Sequence, residues 1–414
     1  MSSTAELGWK WNVDIYDKPG WSSFTYTYPH WGGIIKRDDK IVIRFDSADE
    51  TTINDDFYIE HYRTVMLASY NGGLSWSQID PGWTYNIPLV LSDGTLVEMV
   101  EARRMQTREY QKQRLEGLGL GHIWHDDCLL AWDLWPAHMT EELKRQGYNV
   151  WERQGDGTFV WLPDGVIATH RPSSLISRIS MDNGITWSDQ ASTELDDFAH
   201  FGGCFSCGIV LPDDTVLFPF YAVHTRTSSG TFALQESQVF VLRSTDCGKT
   251  YEMVNVGGPI DNMDLSETSL VFHPSGRVIA LIRGTEIHCS VSDDGGETWT
   301  SPQPTGIIGG YPLHAICLNS GNILCVYAHR TYPAGIRATL SYNTGKSWDV
   351  KNEVILRDDI TPSHYIGGPG SVQLEDDTIF TYYNLIKGKE LSPGRHHCYI
   401  AGSRYTEDYL GPLR

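Results

Sequence analysis

The residues best suited to chemistry in this 414-residue chain recur where the second strand of a repeated hairpin runs out. Arg44 and Asp46 stand at one such end, and Glu101, Arg103 and Arg104 at the next. His170 and Arg171 follow, then Tyr221, His224 and Arg226, then Arg283. Tyr327, His329 and Arg330 end another strand, and Tyr382, Tyr383 and Asn384 the last. The starts of the preceding strands add His30, His200, Glu267, Tyr311, His314 and His364. Arginine offers a planar fork that matches a carboxylate, and several together neutralise an anion. Tyrosine and tryptophan present faces on which a sugar ring stacks. The set points to an acidic saccharide, with Arg103, Arg171, Arg226, Arg283, Arg330 and Glu267 as candidate binding residues. For proton transfer, His170, His224 and His329 are candidate bases, with Tyr221 or His30 near a leaving group.

The elements that must position these groups are legible as repeats. An apolar strand, a tight turn and a second apolar strand recur as IIKRDDKIVIRF (34–45), LVLSDGTLVEMV (89–100), VWLPDGVIATH (160–170) and IVLPDDTVLFPFY (209–221). They continue as VFHPSGRVIALIR (271–283), CLNSGNILCVYAHR (317–330) and VQLEDDTIFTYYN (372–384). Apolar alternation around such turns is a hairpin signal. Read as one hairpin per unit, they predict an all-β, single seven-bladed β-propeller spanning residues 1–414 as one domain. Radial closure leaves only short edges, and ligands gather where loops of many blades converge. The second unit carries an insertion, about residues 104–150, in which TREYQKQRLEGL and MTEELKRQGYN read as short helices. The strand HHCYIAGSRY (396–405) is expected to complete the last blade, with an N-terminal strand closing the ring.

A second motif follows most hairpins: SYNGGLSW (69–76), SMDNGITW (180–187), STDCGKTY (244–251), SDDGGETW (292–299) and SYNTGKSW (341–348). These resemble Asp-boxes, the S-x-D-x-G-x-T-W turns of the sialidase-like (BNR) propellers. The Asp or Asn side chain caps the turn and the glycine supplies a positive φ. By this reading the second unit has no box. LSETSLVFHPSGRVIALIR (265–283) resembles the sialidase segment with a glutamate at an inner-strand start and an arginine at the next strand end. The resemblance gives Glu267 the role of polarising a tyrosine nucleophile and Arg283 that of holding a carboxylate. The chain departs from that pattern at YPHWGG, where His30 replaces the first carboxylate-binding arginine, and at YPLHAICL, which offers no third. In blade count and funnel chemistry it is similar to seven-bladed propeller enzymes that release terminal L-rhamnose from rhamnosyl-α-1,4-glucuronate. That likeness implies a polysaccharide lyase acting by β-elimination at the glycan end. Two alternatives stay open: an exo-glycosidase of rhamnosidase or sialidase type, and a non-catalytic sugar-binding propeller.

Bulk properties narrow the classes. A formal net charge of −20 argues against nucleic acid, whose phosphates need a basic surface. No apolar run is long enough to span a bilayer and MSSTAELGWKWN has no signal-peptide core, so a soluble chain is expected, cytoplasmic or secreted with its signal removed. A monomer is expected. The eight cysteines lack a disulfide framework and read as reduced thiols. No cofactor is required, and a structural calcium ion is the one metal provided for. HIWHDD (122–127) has ligand-like spacing but reads as a polar loop.

Overall fold

The computed structural model describes residues 8–24, 33–37, 39–49, 62–80, 87–104, 151–153, 159–161, 171–195, 198–224, 237–260, 265–358, 366–392 and 395–411. Their hydrogen-bonded ladders form a β-propeller of six blades and one small hairpin. Blade one has a broken inner strand (Trp21–Phe24 and Ile34–Arg37), then Lys40–Asp49, Tyr62–Ser69 and Ser77–Gln78. Blade two is built from Leu89–Val90, Leu96–Arg104, Arg171–Ser180 and Ser188–Glu194. Blade three follows with Phe198–Gly203 and Ile209–Val210, Val216–His224, Gln238–Ser244 and Glu252–Gly257. Blade four is Thr268–Phe272, Val278–Ile282, Glu286–Ser292 and Gln303–Ile308. Blade five is Gly310–Cys317, Ile323–His329, Gly335–Ser341 and Val354–Arg357. Blade six takes Gly367–Gln373, Ile379–Ser392 and Arg395–Tyr405 from the C-terminal end, and Lys10–Tyr16 as its outermost strand. The N-terminal strand thus closes the ring, as expected.

The expected count of seven is corrected to six. VWLPDGVIATH does not found a blade: among the described residues, Phe159–Trp161 pairs only with Trp151–Arg153. That hairpin belongs to an insertion between the second and third strands of blade two, because Arg171–Ser180 pairs directly with Leu96–Arg104. A longer insertion absorbed what looked like a separate unit. SMDNGITW therefore belongs to blade two, which does possess a box. The short helices expected over 104–150 lie outside the described residues.

Six apolar clusters occupy the six seams between neighbouring blades, so each second strand buries alternate residues against a different neighbour. Phe45 and Ile43 meet Phe380 and Tyr382 between blades one and six, while Val42 and Met66 meet Leu96 between blades one and two. The boxes press blade upon blade. In SDDGGETW, Asp294 accepts from Thr298 N at 2.9 Å and from Thr298 Oγ1 at 2.5 Å, and Ser292 Oγ accepts from Gly296 N at 2.8 Å. These bonds, the Thr298 hydroxyl foremost, hold the exposed Asp294 carboxyl down at about 2. The box glycines Gly73, Gly248, Gly296 and Gly345 then lie on the second strand of the preceding blade. A Cβ on Gly248 would meet Val97, one on Gly296 Leu217 and one on Gly345 Ile279.

Gly73, at φ +90°, shows what that contact is worth, because a Cβ there would fall 2.4 Å from the Phe380 ring. Gly94, at φ +88°, has nothing within 4 Å. Gly94→Ala should cost about 1 kcal/mol of backbone strain. Gly73→Ala adds overpacking and should cost about 3 kcal/mol in total. Equal urea midpoints for the two variants would refute the blade-pressing role of the box.

Candidate functional site

Hairpin turns and boxes share one rim, so inner-strand starts and second-strand ends meet on the other, around the central funnel. There Glu267 precedes the inner strand of blade four and Arg283 follows its second strand. Their backbones are zipped by Arg283 N to Glu267 O and Ser266 N to Arg283 O, each 3.0 Å. Arg283 Nη1 donates to Glu267 Oε2, forming an ion pair in which Glu267 is buried and Arg283 is 25% exposed. The pair stands at the mouth of the seam between blades three and four.

One blade further round, His329 ends the second strand of blade five, half-buried. Its Nδ1 lies 3.0 Å from Thr331 O and 3.2 Å from Pro333 O. Both are carbonyls, so Nδ1 must carry the proton and Nε2 the lone pair when the ring is neutral. Gly309 passes close by: a Cβ at that residue would sit 3.2 Å from His329 Cδ2 and 3.4 Å from Nε2. Its φ of +73° and this close approach both call for glycine, since a side chain there would crowd Nε2. Arg330 Nε donates to Ile366 O at 3.2 Å, tying the site to the start of blade six.

Three successive junctions between inner strands share one device. An innermost strand has no ladder partner on its axial side, and its N–H groups need acceptors. Thr268 N donates to Cys204 Sγ at 3.4 Å, Ala315 N to Ser269 Oγ at 3.0 Å and Ser371 N to His314 Nδ1 at 3.1 Å. Each side chain thus satisfies the inner strand of the following blade. His314 can accept only while neutral, and burial alone holds its pKa down at about 4. Cys204 precedes and Cys207 ends a short 3-10 turn beside Glu267, both buried, and desolvation pushes both thiols up, Cys207 to about 12. High pKa values suit structural thiols rather than nucleophiles. Cys204-Phe205-Ser206-Cys207 escaped the sequence reading. Its signal was spacing alone, without a charged neighbour to suggest activation.

The remaining candidates distribute as follows. Tyr221 is buried in the apolar seam between blades three and four. Arg44 and Asp46 are buried on the face of blade one that meets blade two, with Arg44 Nη2 3.4 Å from Asp46 Oδ1 and 3.1 Å from Thr64 Oγ1. Tyr382 is wholly buried and donates to Arg44 O at 3.1 Å. For Arg103, Arg171 and His224 the backbone alone is described, at the funnel ends of their strands. His30, His170 and Arg226 lie outside the described residues, as does HIWHDD. Among the described residues no group of three or more His, Cys, Asp or Glu could hold a metal ion, no helix is long and apolar enough to cross a membrane, and the seven cysteines are free of disulfides.

Fold and repeat together define a six-bladed Asp-box propeller. The chain belongs to the family described as BNR repeat-like domain, whose model matches residues 156–387, more than half of the chain. No curated protein matches it. Among solved structures it is similar to a protein of unknown function from Dyadobacter fermentans, at 18% identity and TM-score 0.65, covering 97% of this chain and 100% of that one. It is also similar to the leech intramolecular trans-sialidase complexed with 2,7-anhydro-Neu5Ac, at 14% identity and TM-score 0.53, covering 96% and 69%. The NanB sialidase of Streptococcus pneumoniae aligns at 12% identity and TM-score 0.52, covering 99% and 72%. At these identities the likeness establishes the fold.

Proposed function

We propose that the chain is a carbohydrate-active enzyme that works on a glycan end bearing an acidic sugar, by β-elimination across C4–C5 of a uronate. The observation that carries this reading is His329. Its proton is committed at Nδ1 to backbone carbonyls, its Nε2 is left basic, and Arg330 is the next residue. In the reaction Nε2 takes the C5 proton, the C5–H electron pair becomes the C4–C5 double bond, and the C4–O bond breaks. A funnel acid protonates the departing oxygen. Arginine charge on the uronate carboxylate would stabilise the enolate-like state, a role we assign to Arg283 and Arg330, which follow the second strands of blades four and five.

A glycosidase of the two-carboxylate kind would instead need two carboxyl groups flanking the bond. Of the strand-end carboxylates, Glu267 is bonded to Arg283 and Asp46 to Arg44 and Thr64, both buried, while for Glu101 the backbone alone is described. This weighs against the two-carboxylate mechanism, and leaves open hydrolysis through a tyrosine nucleophile. An exo-glycosidase remains the second reading, favoured by six blades rather than seven and by neighbours described as sialidases. The six-blade count removes one of the two grounds for likeness to the rhamnosyl-glucuronate enzymes and leaves the other, the funnel chemistry. Rhamnosyl-α-1,4-glucuronate ends are therefore the first substrate to try. Incubation with gum arabic should release rhamnose together with the ultraviolet absorbance of an unsaturated uronate. Release without absorbance would overturn elimination in favour of hydrolysis. Binding without release would reduce the protein to a sugar-binding propeller.

A further inference from the structure

Tyr332 is 87% exposed, the largest exposure among the described large hydrophobic side chains. It stands in the loop 330–334 between the second and third strands of blade five, on the funnel rim and three residues beyond His329. A loop with so little of its own side chain buried would ordinarily be mobile. This one is pinned from both flanks. His329 Nδ1 holds Thr331 O and Pro333 O, and Arg337 Nη2 donates to Pro333 O at 2.7 Å. Arg337 is itself fixed by Glu353 Oε1 at 2.5 Å, and Tyr327 donates its hydroxyl to the other oxygen of Glu353. Arg330 anchors the loop's first residue to Ile366 O. These bonds order five residues around an aromatic ring that is left 87% exposed.

We propose that Tyr332 is the stacking platform for a neutral sugar ring next to the acidic residue, on the leaving-group side of the bond. The inference rests on the function proposed above. Ordering a loop in advance removes an entropic cost from binding, and an amphipathic ring with two rotatable angles gives contact area cheaply. The charge distribution selects the occupant. Arg283 and Arg330 serve the acidic sugar, whereas the Tyr332 ring is uncharged and suits the apolar C–H face of a neutral pyranose. The loop places this ring within three residues of the base, so that one glycan end would span both.

The test compares wild type, Tyr332→Ala and Tyr332→Phe on gum arabic, with free D-glucuronate as a competitive inhibitor. Tyr332→Ala should raise KM on the polymer about 5- to 10-fold and leave saturated turnover and Tm unchanged. The inhibition constant of glucuronate, which lacks the neutral ring, should not move. Tyr332→Phe should keep the wild-type KM, because the ring rather than the hydroxyl makes the contact. An unchanged KM in Tyr332→Ala, or an equal loss for polymer and glucuronate, would overturn the proposal. A wild-type protein that neither cleaves nor binds the polymer would instead bring down the functional reading, and this platform with it.

Discussion

Replacing His329 with alanine is expected to lower turnover on the uronate substrate by about 10²- to 10⁴-fold, the usual weight of a positioned general base. The loss should appear in turnover, because the imidazole is asked to move a proton rather than to hold the ground state. His329 also pins two carbonyls of the loop 330–334; alanine frees Thr331 O at the surface, where water replaces the lost bond at small cost, while Pro333 O keeps its bond from Arg337. Tm should therefore move by no more than a few degrees. A second variant separates the proton from the pin: His329→Asn offers an amide N–H towards the same carbonyls but no base, and should be as inactive as alanine. If His329→Ala keeps turnover within about threefold of wild type, the base lies elsewhere, and His170 and His224 are the other candidates offered by the sequence.

The route from sequence to this site was partly legible. Asp-boxes and hairpin turns are local chemistry, carried by a capping carboxylate and a positive-φ glycine, so their text reads directly into blades. The count failed where local chemistry repeats without its long-range partner. VWLPDGVIATH carries the same turn signature as a true blade hairpin, and only the pairing of Arg171–Ser180 with Leu96–Arg104 shows that the second blade was already complete around it. Strand-end positions were legible as well: Glu267, Arg283, His329 and Arg330 stand at the funnel end. Which way a strand-end side chain faces was not. Successive residues point to opposite faces, and one step decides between funnel and seam. Arg44 and Asp46 share their face with Val42 and pack towards blade two, while Tyr221 joins the apolar seam of blades three and four. Tyr332 and Gly309 had no type-based signal. They matter through exposure and approach, which require the folded loops.

The axial wall should also make the protein sensitive to mild acid through His314. Its Nδ1 accepts the Ser371 N–H that joins the inner strands of blades five and six, and the ring is 8% exposed. Burial depresses its pKa from the ordinary 6.5 to about 4, without help from a neighbouring charge. The unfolded chain therefore binds this proton at a higher pH than the folded one does. The contribution is fully present above pH 6.5, and it is lost as pH falls from there towards 4. At 1.36 kcal/mol per pKa unit the complete loss is about 3 kcal/mol, a large part of the margin of most folds. Urea unfolding at pH 7.5, 5.5 and 4.5 should show a falling midpoint across this window. His314→Gln is the informative variant, since its amide oxygen accepts the same N–H and does not titrate. It should flatten the pH dependence between 6.5 and 4 and leave the steeper loss below that, where exposed box carboxylates such as Asp182 and Asp294, both held at about 2, begin to take up protons. A His314→Gln protein whose midpoint falls with pH as steeply as wild type would show that the strand junction does not govern acid stability. A variant already weak at pH 7.5 but flat below it would show that the junction holds and that glutamine makes it poorly.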